Sequence, residues 1–222
     1  MTSGSGLVIF DCDGVLVDSE TISMRELTRA INALGVAMTE TEAHAAYGGA
    51  TLAQIERDVE LRNGGPVRGG WIDEFYTVRA EAFARELDAV DGARETVLEV
   101  QRRGWATCIA SQARVIKMEQ TLALAGLDDL FPPERIFSAT MVERPKPAPD
   151  LFLHAARSCG WEPADCVVVE DSAGGVRGAR AAGMRALGYV APDRPADAAI
   201  ALDAAGAEIV RDMREVPERV SA

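Results

Sequence analysis

Histidine is nearly missing from these 222 residues: only His44 and His154 occur. The four cysteines, Cys12, Cys108, Cys159 and Cys166, show no Cys-x-x-Cys spacing. A zinc site built on nitrogen and sulfur ligands is therefore excluded as a first expectation, and so is a disulfide framework. Free, mostly buried thiols in a reducing compartment are expected instead. Positive charge is also short: 23 Lys and Arg stand against 35 Asp and Glu, a net charge of -12. A nucleic-acid or anionic-membrane partner needs a cationic excess to displace counterions, and none exists. No apolar run reaches the roughly 20 residues of a membrane-spanning helix. The opening MTSGSG has no basic region, and the apolar run after it is too short for a signal peptide. A soluble, cytoplasmic protein is the expectation, a monomer, with a dimer as the alternative.

What is present is ordinary globular composition, 48% apolar and 26% charged. Short β-branched runs recur at 7–10, 105–110, 135–139, 166–170, 185–190 and 207–210. Their apolarity is continuous instead of alternating, as in strands of a parallel sheet covered on both faces. Helical patterns at 91–104, 118–127, 149–160 and 173–183 separate them, each closed by glycine or proline signals. Strand and helix in alternation predict an α/β fold with a doubly wound, Rossmann-like parallel sheet. From about residue 18 to 88 the rhythm changes. No strand pattern is found there, only helical stretches at 20–35, 39–47, 51–62 and 71–87. The expected organisation is a core of 1–17 and 89–222 interrupted by an all-helical cap of 18–88. The Ala-rich tract 191–207 reads as a loop and a helix.

In an open α/β sheet, ligands bind beyond the C-terminal ends of the strands. After the first strand come Asp11 and Asp13, in LVIFDCDGVLVDSE. After the second comes Ser111. After the third and a loop comes Lys146, stiffened between Pro145 and Pro147. After the fourth come Glu170 and Asp171. A single strand ending in an acid is most simply a turn or a cap; four strands converging on one edge with these groups form a site. Four carboxylates and one ammonium total about -3, which a partly dry cleft does not tolerate without a cation. A hard divalent ion with oxygen ligands answers that charge, and magnesium is the default choice. Read alone, Ser111 is a helix N-cap and Lys146 a solvated loop lysine. Cys12 points away from its acidic neighbours by strand alternation. His44, His154 and the tryptophans read as packing.

DCDGVLVDSE, the lone Ser111, KPAPD and VVVEDSAGGVRGARAAGM together resemble the four motifs of the haloacid dehalogenase-like hydrolases. The branch resembled carries a helical cap between the first two motifs and holds phosphoglycolate phosphatase-like and β-phosphoglucomutase-like enzymes. The resemblance implies that Asp11 is the nucleophile of phosphoryl transfer and Asp13 the general acid and base. It implies Mg²⁺ on Asp11, the Asp13 carbonyl and Asp171, with Glu170 direct or through water. It further implies phosphate contacts from Ser111, Lys146 and the backbone at Gly14. Gln112 stands where the branch often has Asn, Gly or Ser. An acid at position 13 favours phosphate esters over organohalides. Ser23 and Leu52 occupy places where phosphoglucomutases carry His and Arg, which favours hydrolysis over a mutase. A phospho-acceptor receiver domain is the rival of another class. The substrate expected is a small phosphorylated metabolite: a sugar phosphate, phosphorylated sugar acid or phosphoglycolate. Specificity candidates in the cap are Glu20, Arg25, Tyr47, Thr51, Gln54 and Arg57, each of which equally suits a helix surface or cap.

Overall fold

The computed structural model describes residues 6–48, 50–192, 194 and 197–221. Residues 1–5, where no targeting signal is expected, lie outside that set, as do Gly49 of the Gly-Gly turn and parts of the Ala-rich tract. The described chain divides into two compact units, Met1–Asp18 with Asp88–Ala222, and Ser19–Leu87.

The first unit contains six strands: β1 (Leu7–Phe10), β2 (Ala106–Ser111), β3 (Ile136–Ser138), β4 (Cys166–Glu170), β5 (Arg185–Tyr189) and β6 (Glu208–Val210). They form one parallel sheet in the order β3-β2-β1-β4-β5-β6. β1 and β4 are buried along their whole length, which explains their unbroken apolarity. Each fully buried Val or Leu in them is worth about 1.5–3 kcal/mol over an exposed one. A receiver domain runs its doubly wound sheet in the order 2-1-3-4-5. Here β1 lies between β2 and β4, so the receiver reading fails on topology. The chain order reverses at β1, and the crevice of such a sheet opens there.

Around this sheet lie α5 (Ala93–Arg102), α6 (Val115–Leu124), α7 (Asp150–Cys159), α8 (Ala173–Ala181), α9 (Ala198–Ala204) and α10 (Val216–Val220), in the numbering that counts four helices of the insert first. Leu151, Phe152 and Ala155 of α7 and Val176 and Ala179 of α8 pack on Ile9, Cys108 and Val168 to make the main core. The four cysteines are free, and three of them are buried. α6 begins three residues earlier than the expected 118. Its N-cap is Arg114, which makes no side-chain cap hydrogen bond, so the usual start signal is lacking. Ser111 is therefore the last residue of β2, not a helix N-cap.

The second unit is all helical: α1 (Ser19–Ala33), α2 (Glu40–Tyr47), α3 (Leu52–Asn63) and α4 (Trp71–Glu86). Leu27, Ile31, Ile55, Val59, Trp71 and Phe75 form its own core. Thr39 and Thr51 open α2 and α3 with capping boxes, paired with Glu42 and Gln54. Where the chain leaves the first unit and returns, Asp18 N donates to Asp88 O at 3.2 Å, and Val17 bridges Ala89. None of the described helices is long and apolar enough to cross a membrane.

Candidate active site

Asp11 follows β1 and is pinned through its backbone, with N–H donating to Val169 O at 2.9 Å. The residue is buried, its side chain 11% exposed. Lys146 Nζ donates to Asp11 Oδ1 at 2.6 Å, to Glu170 Oε1 at 2.6 Å and to Ala110 O at 2.7 Å. All three of its N–H groups are thus engaged, and the ammonium also stands 4.9 Å from the Phe152 ring centroid. Burial alone would lower the Lys146 pKa, but Asp11 and Glu170 outweigh it and hold the ammonium above its ordinary range. Burial pushes the Asp11 carboxyl up to about 7; Lys146 opposes that shift and Glu170 adds to it. Asp11 Oδ2 accepts from no donor among the described residues.

Glu170, expected on the metal directly or through water, has both carboxylate oxygens engaged by protein donors. Oε1 is taken by Lys146, and Oε2 accepts from Ser172 N at 3.0 Å and Ser172 Oγ at 2.8 Å. The side chain is buried against Gly175, where a Cβ would fall only 1.8 Å from Oε1. Glu170 is a clamp on Lys146, and the reason is alternation. It shares a strand face with Val168, toward the core under α7 and α8, while Asp171 is the first residue beyond the strand. Ser172 is the N-cap of α8, accepting from Gly175 N at 3.0 Å.

Asp13 is half-buried. Lys117 Nζ, on the first turn of α6, donates to its Oδ1 at 2.6 Å and Oδ2 at 2.7 Å. Asp171 Oδ2 accepts from Arg194 Nη2 at 2.9 Å and sits over the backbone of Gly14. Gly14 has φ +79°, and a Cβ there would lie 2.2 Å from that oxygen. The residue thus has to be glycine for Asp171 to approach. Ser111 Oγ accepts from Ala113 N at 3.2 Å, and its own O–H meets no acceptor among the described residues. Gln112 Nε2 donates to the Lys146 carbonyl at 3.2 Å, so this side chain braces the lysine loop.

The cap-region candidates have local partners. Thr51 Oγ1 and Gln54 are joined in their capping box. Tyr47 donates to Asp58 at 2.5 Å, and Arg25 pairs with Glu26 and Glu86. Glu20 lies 3.5 Å from His44, and Arg57 is exposed.

Two cations of the site, Lys117 and Arg194, escape sequence reasoning. Lys117 precedes the expected helix start, and Arg194 lies in a biased Ala-rich tract with no strand end to flag it. With them, four carboxylates face three cations instead of one, and the charge argument for a divalent ion weakens. The donor set still suits one. Asp11, Asp171 and the Asp13 carbonyl are hard oxygen donors, and the bare Gly14 backbone makes room for Asp171. Among the described residues no three Asp, Glu, His or Cys side chains gather as a ready cage.

A doubly wound sheet with a buried Asp–Lys–Glu clamp at its switch point defines a class of α/β enzyme core. The family model of the haloacid dehalogenase-like hydrolases matches residues 6–183, and the chain belongs to that family. It is 33% identical over 186 residues to the chloroplastic protein Suppressor of Quenching 1 of Arabidopsis thaliana, covering 81% of this chain but only 17% of that relative. It is 29% identical over 185 residues to 6-phosphogluconate phosphatase of Escherichia coli strain K12, covering 83% and 82%. A crystal structure of a family hydrolase from Deinococcus radiodurans R1, with bound phosphate and sodium, superposes with a TM-score of 0.84 at 29% identity, covering 96% and 94%.

Proposed function

We propose that this protein is a phosphatase that hydrolyses a small phosphate monoester of the sugar phosphate, phosphorylated sugar acid or phosphoglycolate type. The observation that carries this is the pairing of two unlike carboxylates. Asp11 is buried and fixed by Lys146 with one oxygen left open, while Asp13, two residues on, is half-exposed. Phosphatase relatives and a phosphate-bound neighbour support it.

In the first half-reaction an Asp11 oxygen attacks phosphorus, the ester P–O bond breaks, and Asp13 delivers a proton to the departing alcohol oxygen. In the second, Asp13 takes a proton from water, the hydroxide oxygen bonds to phosphorus, and the Asp11–phosphorus bond breaks. Lys146 neutralises charge on Asp11 and on the transferring group, held in place by Glu170. The free O–H of Ser111 serves a phosphoryl oxygen. Mg²⁺, held by Asp11, Asp171 and the Asp13 carbonyl, would shield the phosphate charge so that an anionic nucleophile can approach. The test is phosphate release across a panel of monoesters with and without Mg²⁺. Turnover should need Mg²⁺ and fall by at least about a thousandfold in Asp11→Asn. Absence of turnover on every ester, or an active Asp11→Asn protein, would overturn the proposal.

A further inference from the structure

Two lysines serve the two aspartates of the site, and they are held very differently. Lys146 spends all three N–H groups inside the protein and is 3% exposed at its side chain. Lys117 spends two on the Asp13 oxygens, its side chain is 28% exposed, and its third N–H has no acceptor among the described residues. The pair is part-buried, in contrast to the enclosed Lys146. Its position is more telling. Asp13 is the group that hands a proton to the leaving oxygen, so any leaving group that reaches Asp13 comes up beside an ammonium with a donor to spare.

We infer that Lys117 is a specificity-determining residue, donating its remaining N–H to a carboxylate carried on the leaving group close to the ester oxygen. The inference rests on the phosphatase reading above. Geometry limits where that carboxylate sits. The contact closes a ring: ester oxygen, Asp13 carboxylate, Lys117 ammonium, and back to the substrate. With 2.6–2.7 Å between Lys117 and Asp13 and ordinary hydrogen-bond lengths elsewhere, the substrate's two oxygens lie about 3 to 5 Å apart when the ring is compact and at most about 7 Å when it is open. That is the spacing of an ester oxygen and a substituent on the second or third carbon. A carboxylate at the far end of a six-carbon chain lies beyond it. The favoured substrates are thus short phosphorylated hydroxy acids. A hydroxyl at the same place is a weaker partner, because charge-assisted hydrogen bonds are about twice as strong as neutral ones.

The test uses three two-carbon esters that differ only at the second carbon: ethyl phosphate, 2-hydroxyethyl phosphate and phosphoglycolate. The unaltered protein should rank them in rising order of kcat/KM. Lys117→Met should slow all three esters, because Asp13 loses its partner, and should in addition lower the ratio of kcat/KM for phosphoglycolate over ethyl phosphate by about thirtyfold, the scale of one charge-assisted hydrogen bond. Lys117→Arg should restore most of the ranking. Equal losses on all three esters would mean that Lys117 only positions Asp13 or contacts the phosphoryl group, and would overturn the inference. Calorimetric binding of the same esters to Asp11→Asn protein, with and without Lys117→Met, reads the preference without turnover. Selective loss of phosphoglycolate binding there supports Lys117 even if hydrolysis fails on all esters, a result that sinks the phosphatase reading alone. Unchanged relative binding overturns the Lys117 assignment whatever the kinetics.

Discussion

Glu170→Gln separates a structural clamp from a metal ligand. The carboxylate accepts from Lys146 on one oxygen and twice from Ser172 on the other, at 1% exposure. An amide keeps one acceptor oxygen, so its NH2 must face either the ammonium or the Ser172 N–H and O–H, donor against donor. Charge-assisted hydrogen bonds are worth about 1.5–3 kcal/mol each, and removing one partner of a buried ion pair costs about 3–5 kcal/mol. With one acceptor retained, the loss should be about 3 kcal/mol. At a urea slope of about 2–3 kcal/mol/M, the unfolding midpoint followed by circular dichroism should fall by about 1 M or slightly more. The apparent Mg²⁺ constant, from activity or calorimetry, should change by less than about threefold, whereas Asp171→Asn should weaken it by at least about tenfold. A Glu170→Gln protein of unchanged stability with Mg²⁺ affinity lost as in Asp171→Asn would refute the clamp.

Two further outcomes follow from side chains already placed. Thr51→Ala should cost about 1 kcal/mol by removing the α3 cap, with Thr51→Ser restoring it; a large substrate-dependent loss of kcat/KM with no loss of stability would return Thr51 to the role of a specificity residue. Cys159 is set apart among the thiols. Its hydrogen bond with Cys108, aided by Arg135 against the effect of burial, lowers it to about 6, while burial pushes Cys12 and Cys108 well up and Cys166 up to about 12. A lowered thiol is thiolate above its pKa, so iodoacetamide labelling of Cys159 should rise between pH 5 and 7 and then level off. The other three should stay slow across that range; peptide mass mapping that finds Cys12 or Cys166 labelled first would contradict this.

The sheet was legible in the sequence because strands buried on both faces leave a continuous apolar mark, and LVIF and CVVV carry it. The site's acids, Ser111 and Lys146 were legible because each stands at a strand end or in a proline-stiffened loop. Strand order and register were not, since nothing local in β1 says that its neighbours are β2 and β4. The division of labour between Glu170 and Asp171 was hidden for a related reason. Adjacent acids look alike until the strand's last residue is known, and one residue decides which faces the core. Lys117 was lost to an uncapped helix start, and whether the Gln112 amide meets phosphate or turns away could not be read locally, because its partner is the carbonyl of Lys146, 34 residues on. Thr51 shows the opposite case: its capping box with Gln54 is written in the sequence, and the simpler role is the one its hydrogen bonds serve.

The central claim is that Asp11 becomes covalently bonded to phosphorus. Proteolysis and mass spectrometry of the Asp11 peptide test it directly. In ¹⁸O-labelled water the label should enter the released phosphate and leave the Asp11 peptide unlabelled, which excludes attack of water at the Asp11 carbonyl but is shared with direct attack on the ester, so the deciding reading is the trapped peptide. Rapid acid quench during turnover should meanwhile show that peptide about 80 Da heavier, the mass of a phosphoryl group attached at the nucleophile. Steady turnover with phosphate release and no phosphorylated Asp11 peptide, in a protein where Asp11→Asn retains activity, would contradict the account.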